Sequence, residues 1–286
     1  MAQTFFTIDC KTNLHVGSGK TNYGVIDNLV QRDPTFQYPS IHASSLKGGI
    51  KEYCHHLGFP NMIEVFGSEK DSKGKTKHDT SQVGNYRFFD ALLLTIPVRC
   101  DKRAYIHITC PGILKNLGDN LPAKHVLQTE LVALSGIIID NAEVKAYCFN
   151  ESLANAVIED FDIIATHDNT KDHLITTNLT KLFKHEIVLV QDKLFNRLTN
   201  DLHLPVIARN YLENGESKNL WYEQVVPRLS RFWSLAIHPI IKEEEIDGMK
   251  QINDILLSEE IFGDSTLVQV GANGSVGYGY CTFSKF

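Results

Sequence analysis

The sequence has no excess of positive charge and no paired cysteine motif, and each shortage excludes a class of protein. Lys and Arg number 28 against 34 Asp and Glu in 286 residues, so the formal net charge is −6. A protein that coats nucleic acid without specificity needs a basic surface, so this class is excluded, although a local basic groove is not. The six cysteines include no Cys-x-x-Cys pair, which argues against zinc and favours reduced thiols in a cytoplasmic protein.

Long apolar runs are also missing. No uninterrupted run approaches the roughly 18 apolar residues that span a bilayer, because charged residues interrupt the most aliphatic stretch, 121–149. The first residues carry no basic segment followed by an apolar one, so we expect no export and no membrane partner. The apolar content of 43% is nevertheless ample for a buried core.

Apolar periodicity predicts an α+β protein with helices on one face of a sheet. Leu46, Ile50 and Cys54 recur at helical spacing and predict a helix over 44–58. Asn214-Gly215 separates two extended runs, 206–212 and 219–226, which predicts a β-hairpin. Further strands are predicted at 4–9, 86–98, 103–109, 131–139, 142–149, 232–240, 267–270 and 280–283, and further helices at 61–66, from 111 onward and at 243–261.

One segment imitates a phosphate-binding loop. Gly17-Ser18-Gly19-Lys20-Thr21 has the last residues of the motif, but the motif also needs a glycine at position 14, where Leu14 stands. The motif should open a helix, and Asn22-Tyr23-Gly24 does not favour one. We therefore do not predict a nucleotide-binding loop of this kind.

The start of the helix at 44–58 has the composition of an anion site. Ser44 or Ser45 is a suitable N-cap. Lys47 in the first turn opposes the helix dipole, and a bound phosphate would reverse that penalty. The alternative is an ordinary capped helix with a solvated lysine, which the local residues alone favour slightly.

Two loops are further candidates. The segment 271–279 contains Gly271, Gly274, Gly277 and Gly279, which allow close approach of the backbone to a phosphate, although a long hairpin connection would use the same residues. Asp27 ends a glycine-containing loop that starts near His15. A loop carboxylate can bind a metal ion or take a proton from a ribose hydroxyl, but a lone aspartate there is more commonly a turn residue.

Taken together, these residues resemble the RAMP superfamily, and within it the backbone subunit of the type III-B CRISPR effector, the Cmr complex. The resemblance is weakest over about 116–190. It is carried by the ordered segments 14–19, 24–32, 41–48, 65–68, 89–91, 96–99, 109–112, 219–223 and 268–279.

The resemblance implies a single domain, 1–286, with a ferredoxin-like palm of the RNA-recognition type and a protruding β-hairpin thumb. The thumb insertion is expected at 191–228 and a basic mobile loop at 68–84. Copies of the chain would stack along one CRISPR RNA together with other Cmr subunits, and each thumb would splay the duplex of guide and target RNA at a regular interval.

The resemblance also implies target-RNA cleavage and assigns residues to it. The neighbouring 2′-hydroxyl would attack the phosphodiester, with Asp27 as base or as ligand of a divalent metal (Mg or Mn); the residues do not separate those two roles. His15, Tyr222 and Glu223 match further catalytic positions. The positions implied for RNA binding are Ser44, Ser45, Lys47, Lys51, Gly271, Gly274, Gly277 and Gly279.

Two alternatives remain open. The chain could be a purely structural subunit that binds CRISPR RNA without cutting, or a CRISPR RNA-processing endonuclease of related fold. Loss of target cleavage in an Asp27→Ala variant would favour the target-cutting subunit over the structural one. Cleavage of repeat RNA by the isolated chain would favour the processing enzyme.

Overall fold

A large mixed sheet with helices packed on it forms the body of the protein. The computed structural model describes residues 1–19, 24–59, 62–68, 82–137, 146–159, 163–240 and 266–286. The strands are β1 Ala2–Cys10, β2 Ser40–Ile41, β3 Arg87–Phe88, β4 Ala91–Val98, β5 Ile106–Thr109, β6 Ala146–Cys148, β7 Val157–Ile158, β8 Ile163–His167, β9 Ile187–Val190, β10 Val206–Glu213, β11 Glu216–Gln224, β12 Arg231–His238, β13 Val268–Gln269 and β14 Tyr280–Lys285. The α-helices are α1 Ala43–His56, α2 Met62–Phe66, α3 Pro111–Asn120, α4 Val126–Ser135, α5 Thr177–Phe183 and α6 Asp192–Thr199.

The strand order of the main sheet is β13-β14-β1-β12-β4-β5-β9-β6-β8-β7, with β2 also paired to β4 and β3 to β12. The pairs β5–β9 and β6–β8 are parallel, and the other pairs are antiparallel. Most predicted strands are confirmed within one or a few residues. Neighbours in the sheet are often distant in the chain, which sequence periodicity does not reveal.

Strand β1 lies between β12 and β14 and is buried along most of its length. Phe6, Thr7 and Ile8 are all buried, and because successive side chains of a strand point to opposite faces, both faces of the sheet are covered here. Asp9 is also buried, and it is tolerated because Arg231 and Lys184 pair with its carboxylate. Strand β1 therefore places one carboxylate in the interior of the molecule, where two cationic side chains pair with it.

Helix α1 confirms the predicted helix, but its N-cap differs from the prediction. The N-cap is His42, and Ser44 and Ser45 lie within the first turn, so the assignment of either serine as cap is wrong. The physical reason is Asp90, just before β4, whose Oδ1 accepts a hydrogen bond from the Ala43 N–H at 2.6 Å. A carboxylate from another segment replaces the local serine cap.

The extended segment predicted at 131–139 is wrong where it is described, because Val126–Ser135 forms α4. Leu127, Leu131 and Leu134 are buried at helical spacing. Val126 and Val132 are exposed on the opposite side. Apolar residues on both sides of the helix obscure the helical period, and residues 138–139 lie outside the described part.

The predicted β-hairpin is confirmed as β10 and β11, which form a two-stranded sheet separate from the main one. Asn214 and Gly215 occupy its turn with φ of 53° and 85°, as a two-residue turn with positive φ at both positions requires. Residues 210–220 are exposed throughout. The hairpin thus stands out from the sheet and presents both of its faces to solvent toward the tip.

Several other predictions concern the whole chain. All six cysteines are free thiols, five of them buried, as expected. In the described part of the chain no helix has both the length and the apolar character to cross a bilayer. The predicted helix at 243–261 and nearly all of the predicted loop at 68–84 lie outside the described residues.

Candidate nucleic-acid interface

Asp27 is held against the base of the hairpin by hydrogen bonds to the backbone of β11. Its Oδ2 accepts from the Tyr222 N–H at 2.8 Å, and the N–H groups of Asp27 and Asn28 both donate to the Tyr222 carbonyl at 3.1 Å. The residue is nevertheless exposed. One carboxylate oxygen is therefore oriented by the protein while the group stays accessible to a ligand.

His15 lies behind this loop, not on its surface. His15 is only 5% exposed, and its Nδ1 lies 2.7 Å from the carbonyl oxygen of Gln224. Gln224 is itself fully buried, and its Oε1 accepts from the Val30 N–H at 3.2 Å. His15 thus supports the strand that holds Asp27 and is not placed to contact RNA directly in this conformation.

Glu223 is the centre of a buried polar cluster that we call the Glu223 clasp, formed by Glu223, Arg209, Trp221 and Asn273. Its Oε1 accepts from Trp221 Nε1 at 2.9 Å, and its Oε2 accepts from Arg209 at 3.2 Å and from Asn273 Nδ2 at 3.0 Å. Arg209 also lies over the rings of Trp221 and Tyr278. The clasp joins both hairpin strands to the glycine-rich loop 271–279.

That loop packs tightly on the segment that contains His15. Gly271 has a φ of 84°, and a Cβ there would lie 2.5 Å from the His15 carbonyl oxygen. Gly279 has a φ of 76°, and a Cβ there would collide with the Val270 carbonyl oxygen. These two glycines are required by both backbone angle and lack of space, whereas a Cβ on Gly277 would meet no atom within 4 Å and only its φ of 85° favours glycine.

A cluster of positive charge follows the first turn of α1, because the helix begins at Ala43 and places Lys47 in the second turn, not in the first as predicted, with Lys51 one turn further on. Ser44 is exposed, and Ser45, Lys47 and Lys51 are half-buried. Partial burial, and then repulsion from Lys51 and Arg87, lower the pKa of Lys47. Crowded cations of this kind favour a bound anion, because an anion relieves their mutual repulsion.

Hydrogen-bond donors add to this charge. Among the described residues, the backbone N–H groups of Ser44 and Ser45 have no acceptor, as is usual in the first turn of a helix. The Ala43 N–H, by contrast, is taken by Asp90. A phosphate at this helix start would therefore bind to the serines and Lys47 and not at the very end of the helix.

The Asp27 loop, the glycine-rich loop and α1 adjoin one another. Gln31 lies only four residues beyond Asp27, at most about 14 Å along an extended chain, and its Oε1 accepts from the His42 N–H at 2.9 Å. Helix α1 contacts β13 through Gly49, where an added Cβ would lie 2.6 Å from the Gln269 carbonyl oxygen. The structure thus brings the predicted site residues to one region, with Asp27 outside the packed interior.

Few side chains near Asp27 could bind a metal ion. Within the described part of the chain, no three His, Cys, Asp or Glu side chains are grouped so that they could hold a metal ion. Near Asp27 the other acidic side chain, Glu223, already accepts three hydrogen bonds. Asp27 offers one accessible carboxylate, which does not make a metal centre by itself.

Sequence reasoning missed three residues that organise this region. Gln224 links Val30, His15 and Asp201, Asn273 closes the clasp, and Asp90 caps α1. Asn273 and Asp90 stood in segments that we singled out, but without an assigned role. Their roles depend on contacts between distant segments, so no local pattern indicates them.

Comparison with known proteins gives three close likenesses. The CRISPR system Cmr endoribonuclease Cmr4 of Pyrococcus furiosus is 28% identical over 290 residues, covering 94% of this chain and 90% of that protein. The structure of the type III-B Cmr-beta complex bound to cognate target RNA contains a chain with a TM-score of 0.75 and 22% identity, covering 100% of this chain and 97% of that one. Oligomeric Cmr4 from Pyrococcus furiosus gives a TM-score of 0.67 and 21% identity, covering 100% and 99%.

The structural likenesses extend over the whole chain and establish a shared fold. The family comparison is equally broad, because the model of the RAMP superfamily matches residues 7–282. This span includes the Asp27 loop, the start of α1, the hairpin and the whole of the glycine-rich loop. The chain belongs to the RAMP superfamily.

Proposed function

We propose that this chain is a backbone subunit of a type III-B CRISPR effector complex, which binds CRISPR RNA and cleaves complementary target RNA at regular intervals. The observation that carries the proposal is the exposed Asp27 carboxylate, fixed by the Tyr222 N–H at the base of a protruding hairpin. The names of its relatives, a Cmr endoribonuclease and a Cmr complex bound to target RNA, agree with it. Its partners would be both RNAs, other copies of itself and other Cmr subunits, in the cytoplasm.

The guide strand would run past the start of α1. A guide of arbitrary sequence must be held through phosphate, sugar and shape, because contacts to base edges would limit the guides that fit. The unpaired N–H groups of Ser44 and Ser45 and the ammonium groups of Lys47 and Lys51 suit such contacts. The net charge of −6 does not oppose this, since positive charge is concentrated locally.

The main sheet would serve as the ferredoxin-like palm and the β10–β11 hairpin as the thumb. The hairpin carries large apolar side chains in solvent: Tyr211 is 56% exposed, Leu212 59% and Leu220 55%. Exposed apolar and aromatic side chains can enter between bases and unstack them. Because Asp27 is bonded to the hairpin base, an RNA strand opened by the hairpin would pass close to this carboxylate.

The proposed reaction is a transesterification within the target RNA. The 2′-hydroxyl beside the scissile phosphate attacks phosphorus and gives its proton to Asp27. The bond from phosphorus to the 5′-oxygen breaks, and the departing oxygen takes a proton from water. The products are a 2′,3′-cyclic phosphate and a free 5′-hydroxyl. A positioned carboxylate contributes roughly 100- to 10,000-fold to such a step.

A divalent ion, Mg or Mn, is the expected cofactor, but the donor set here does not fit a site built by the protein alone. Asp27 supplies a single accessible carboxylate, and the described residues offer no cluster around it. Any such ion would need most of its oxygen ligands from RNA and water. We therefore derive no step through a metal and assign the proton transfer to Asp27.

The test is Asp27→Asn in the complex assembled with guide RNA. Asparagine keeps the Tyr222 hydrogen bond but cannot take the proton, so we expect normal assembly and target binding with cleavage reduced at least roughly 100-fold. Asp119→Asn, at an exposed position on α3, is the matched control and should cleave normally. Unchanged cleavage by Asp27→Asn would overturn the assignment of the proton transfer to Asp27, and the cutting group would then lie elsewhere in the complex.

A further inference from the structure

A cavity of about 360 Å³ lies beside the start of α1, and nothing above assigns it a role. Its apolar wall includes the rings of Phe88, Phe89 and Trp233, and Asp33, Asp90 and Asn120 supply polar groups around it. We call it the Phe89 pocket. Its volume is at the lower end of the range for small-molecule sites, so it suits one flat ring system better than a peptide segment.

The aromatic wall is held in place from behind. The Phe89 N–H donates to the Leu235 carbonyl at 3.2 Å, and Ser234 Oγ donates to the Phe89 carbonyl at 3.0 Å. Phe88 stacks on Phe66 with ring centroids 5.8 Å apart. Phe89 itself pairs with no other ring among the described residues and is 42% exposed. Two hydrogen bonds thus hold the backbone of Phe89 while its side chain remains partly accessible.

The charge around the pocket excludes phosphate as its occupant. The described residues that line it include two carboxylates and no Lys or Arg, so a phosphate would be repelled. Carboxylate and amide oxygens accept hydrogen bonds from exocyclic amino groups, and aromatic rings stack on any base. The chemistry therefore fits a nucleobase, with a preference for bases that carry an amino group.

The position of the pocket indicates which molecule would supply the base. Ala43, in the first turn of α1, lines the pocket, and Ser44 and Ser45 follow it directly. We propose that the Phe89 pocket receives a nucleobase from the RNA strand whose phosphates bind at the start of α1. This inference rests on the proposed function, because it requires RNA at that helix.

Phe89→Ala tests the proposal in the full chain, with binding measured separately for short single-stranded RNA and for inorganic polyphosphate, which has no bases. Loss of one stacked base should weaken RNA binding roughly 5- to 150-fold and leave polyphosphate binding unchanged. Phe89→Tyr keeps a ring and should restore RNA affinity. Tyr105→Ala is the matched control, because Tyr105 is also 42% exposed and lies outside the pocket.

A second readout compares oligocytidine, whose bases carry an exocyclic amino group at C4, with oligouridine, whose bases carry a carbonyl oxygen there and an N–H at N3. Wild-type protein should bind oligocytidine more tightly, and Phe89→Ala should lower the affinity for both. Equal loss of RNA and polyphosphate binding in Phe89→Ala would overturn the pocket, as would an unaltered RNA affinity. A change in self-association without RNA would also overturn it and would identify a protein contact instead.

Lys47→Ala separates this inference from the function on which it rests. Lys47 is proposed to contact phosphate, so its loss should weaken both RNA and polyphosphate. If Lys47→Ala behaves so while Phe89→Ala has no effect, the pocket alone is wrong. If wild-type protein binds neither polymer, the proposed function fails and the pocket with it.

Discussion

Both oxygens of the Glu223 carboxylate already have partners, which decides what this side chain can do. Three donors on Arg209, Trp221 and Asn273 surround it, and the residue is only 6% exposed. A buried carboxylate saturated in this way is poorly placed to take a proton from RNA. Its neighbour Tyr222 binds Asp27, so in the proposed reaction Glu223 would act through position, by fixing the strand that orients the Asp27 carboxylate.

This role can be separated from direct catalysis through Asn273, which touches Glu223 across the interface between the hairpin and the glycine-rich loop. Asn273→Ala removes one donor of the Glu223 clasp and should allow β11 to shift. A shift of about 1 Å at a reacting group can cost roughly 100-fold in rate, so we expect cleavage to fall roughly 10- to 100-fold. The pH dependence of cleavage should not change, because Asn273 neither takes nor gives a proton in the proposed reaction.

Asn219→Ala is the control for that measurement, since Asn219 is an exposed asparagine farther out on the same hairpin. It should cleave at the wild-type rate. The clasp would be refuted as a positioning device if Asn273→Ala cleaved normally while Glu223→Gln was inactive. That pattern would make Glu223 a group that reacts directly.

At the scale of elements, α1 joins the proposed guide site to the glycine-rich loop. Its two adjacent glycines have opposite surroundings. A Cβ on Gly48 would meet no atom within 4 Å, whereas a Cβ on Gly49 would lie 2.6 Å from the Gln269 carbonyl oxygen of β13. Only Gly49 is required for the close packing of this helix on the sheet.

Substitution of each glycine by alanine should therefore change stability in opposite directions. Gly48→Ala removes backbone freedom from the unfolded chain and should raise the free energy of unfolding by about 0.5–1 kcal/mol. Gly49→Ala forces α1 away from β13 and should lower it by about 1–3 kcal/mol. Urea unfolding of the two variants measures both values. Equal effects of the two substitutions would contradict the contact between Gly49 and β13.

Element prediction from the sequence succeeded where burial follows one period. The buried residues Leu46, Ile50 and Cys54 define α1, and the Asn214-Gly215 turn defines the hairpin. It failed for α4, because exposed Val126 and Val132 give apolar residues to both sides of the helix. Local patterns identify an element only when its solvent face is polar.

The candidate site was predictable only in part, for a related reason. Asp27, the glycines of 271–279 and the start of α1 were found through local composition and the family resemblance. The bonds that join them run between Asp27 and Tyr222 and between Asn273 and Glu223, which are far apart in sequence. Such pairs follow from strand order and register, which a single sequence does not encode locally.

At the scale of the whole molecule, a layer of buried polar groups crosses the main sheet near its centre. Asp9 on β1 pairs with Arg231 on β12 and with Lys184 after α5. His107 on β5 stacks on His185 with ring centroids 4.1 Å apart, and its Nε2 lies 3.1 Å from the Leu229 carbonyl. These contacts connect β1 with β5, β12 and the segment that follows α5, so they contribute to the stability of the whole main sheet.

Acid should destabilise the protein through His107. Burial, then the neighbouring His185, lower the pKa of His107 to about 4, with Arg231 acting in the same direction and Asp9 against it. The unfolded chain, with an ordinary histidine pKa near 6.5, binds more protons between those two values. Stability is therefore lost as the pH falls from about 6.5 toward 4, by about 3 kcal/mol in total from this residue.

Urea unfolding at pH 7 and at pH 4.5 measures this loss. His107→Gln keeps a donor for the Leu229 carbonyl but cannot take up a proton. Over the same interval its free energy of unfolding should therefore fall by about 2 kcal/mol less than that of wild type. His56→Gln, at an exposed position, is the control and should lose as much stability as wild type. If His107→Gln loses as much stability as wild type over this interval, the acid sensitivity does not arise from His107.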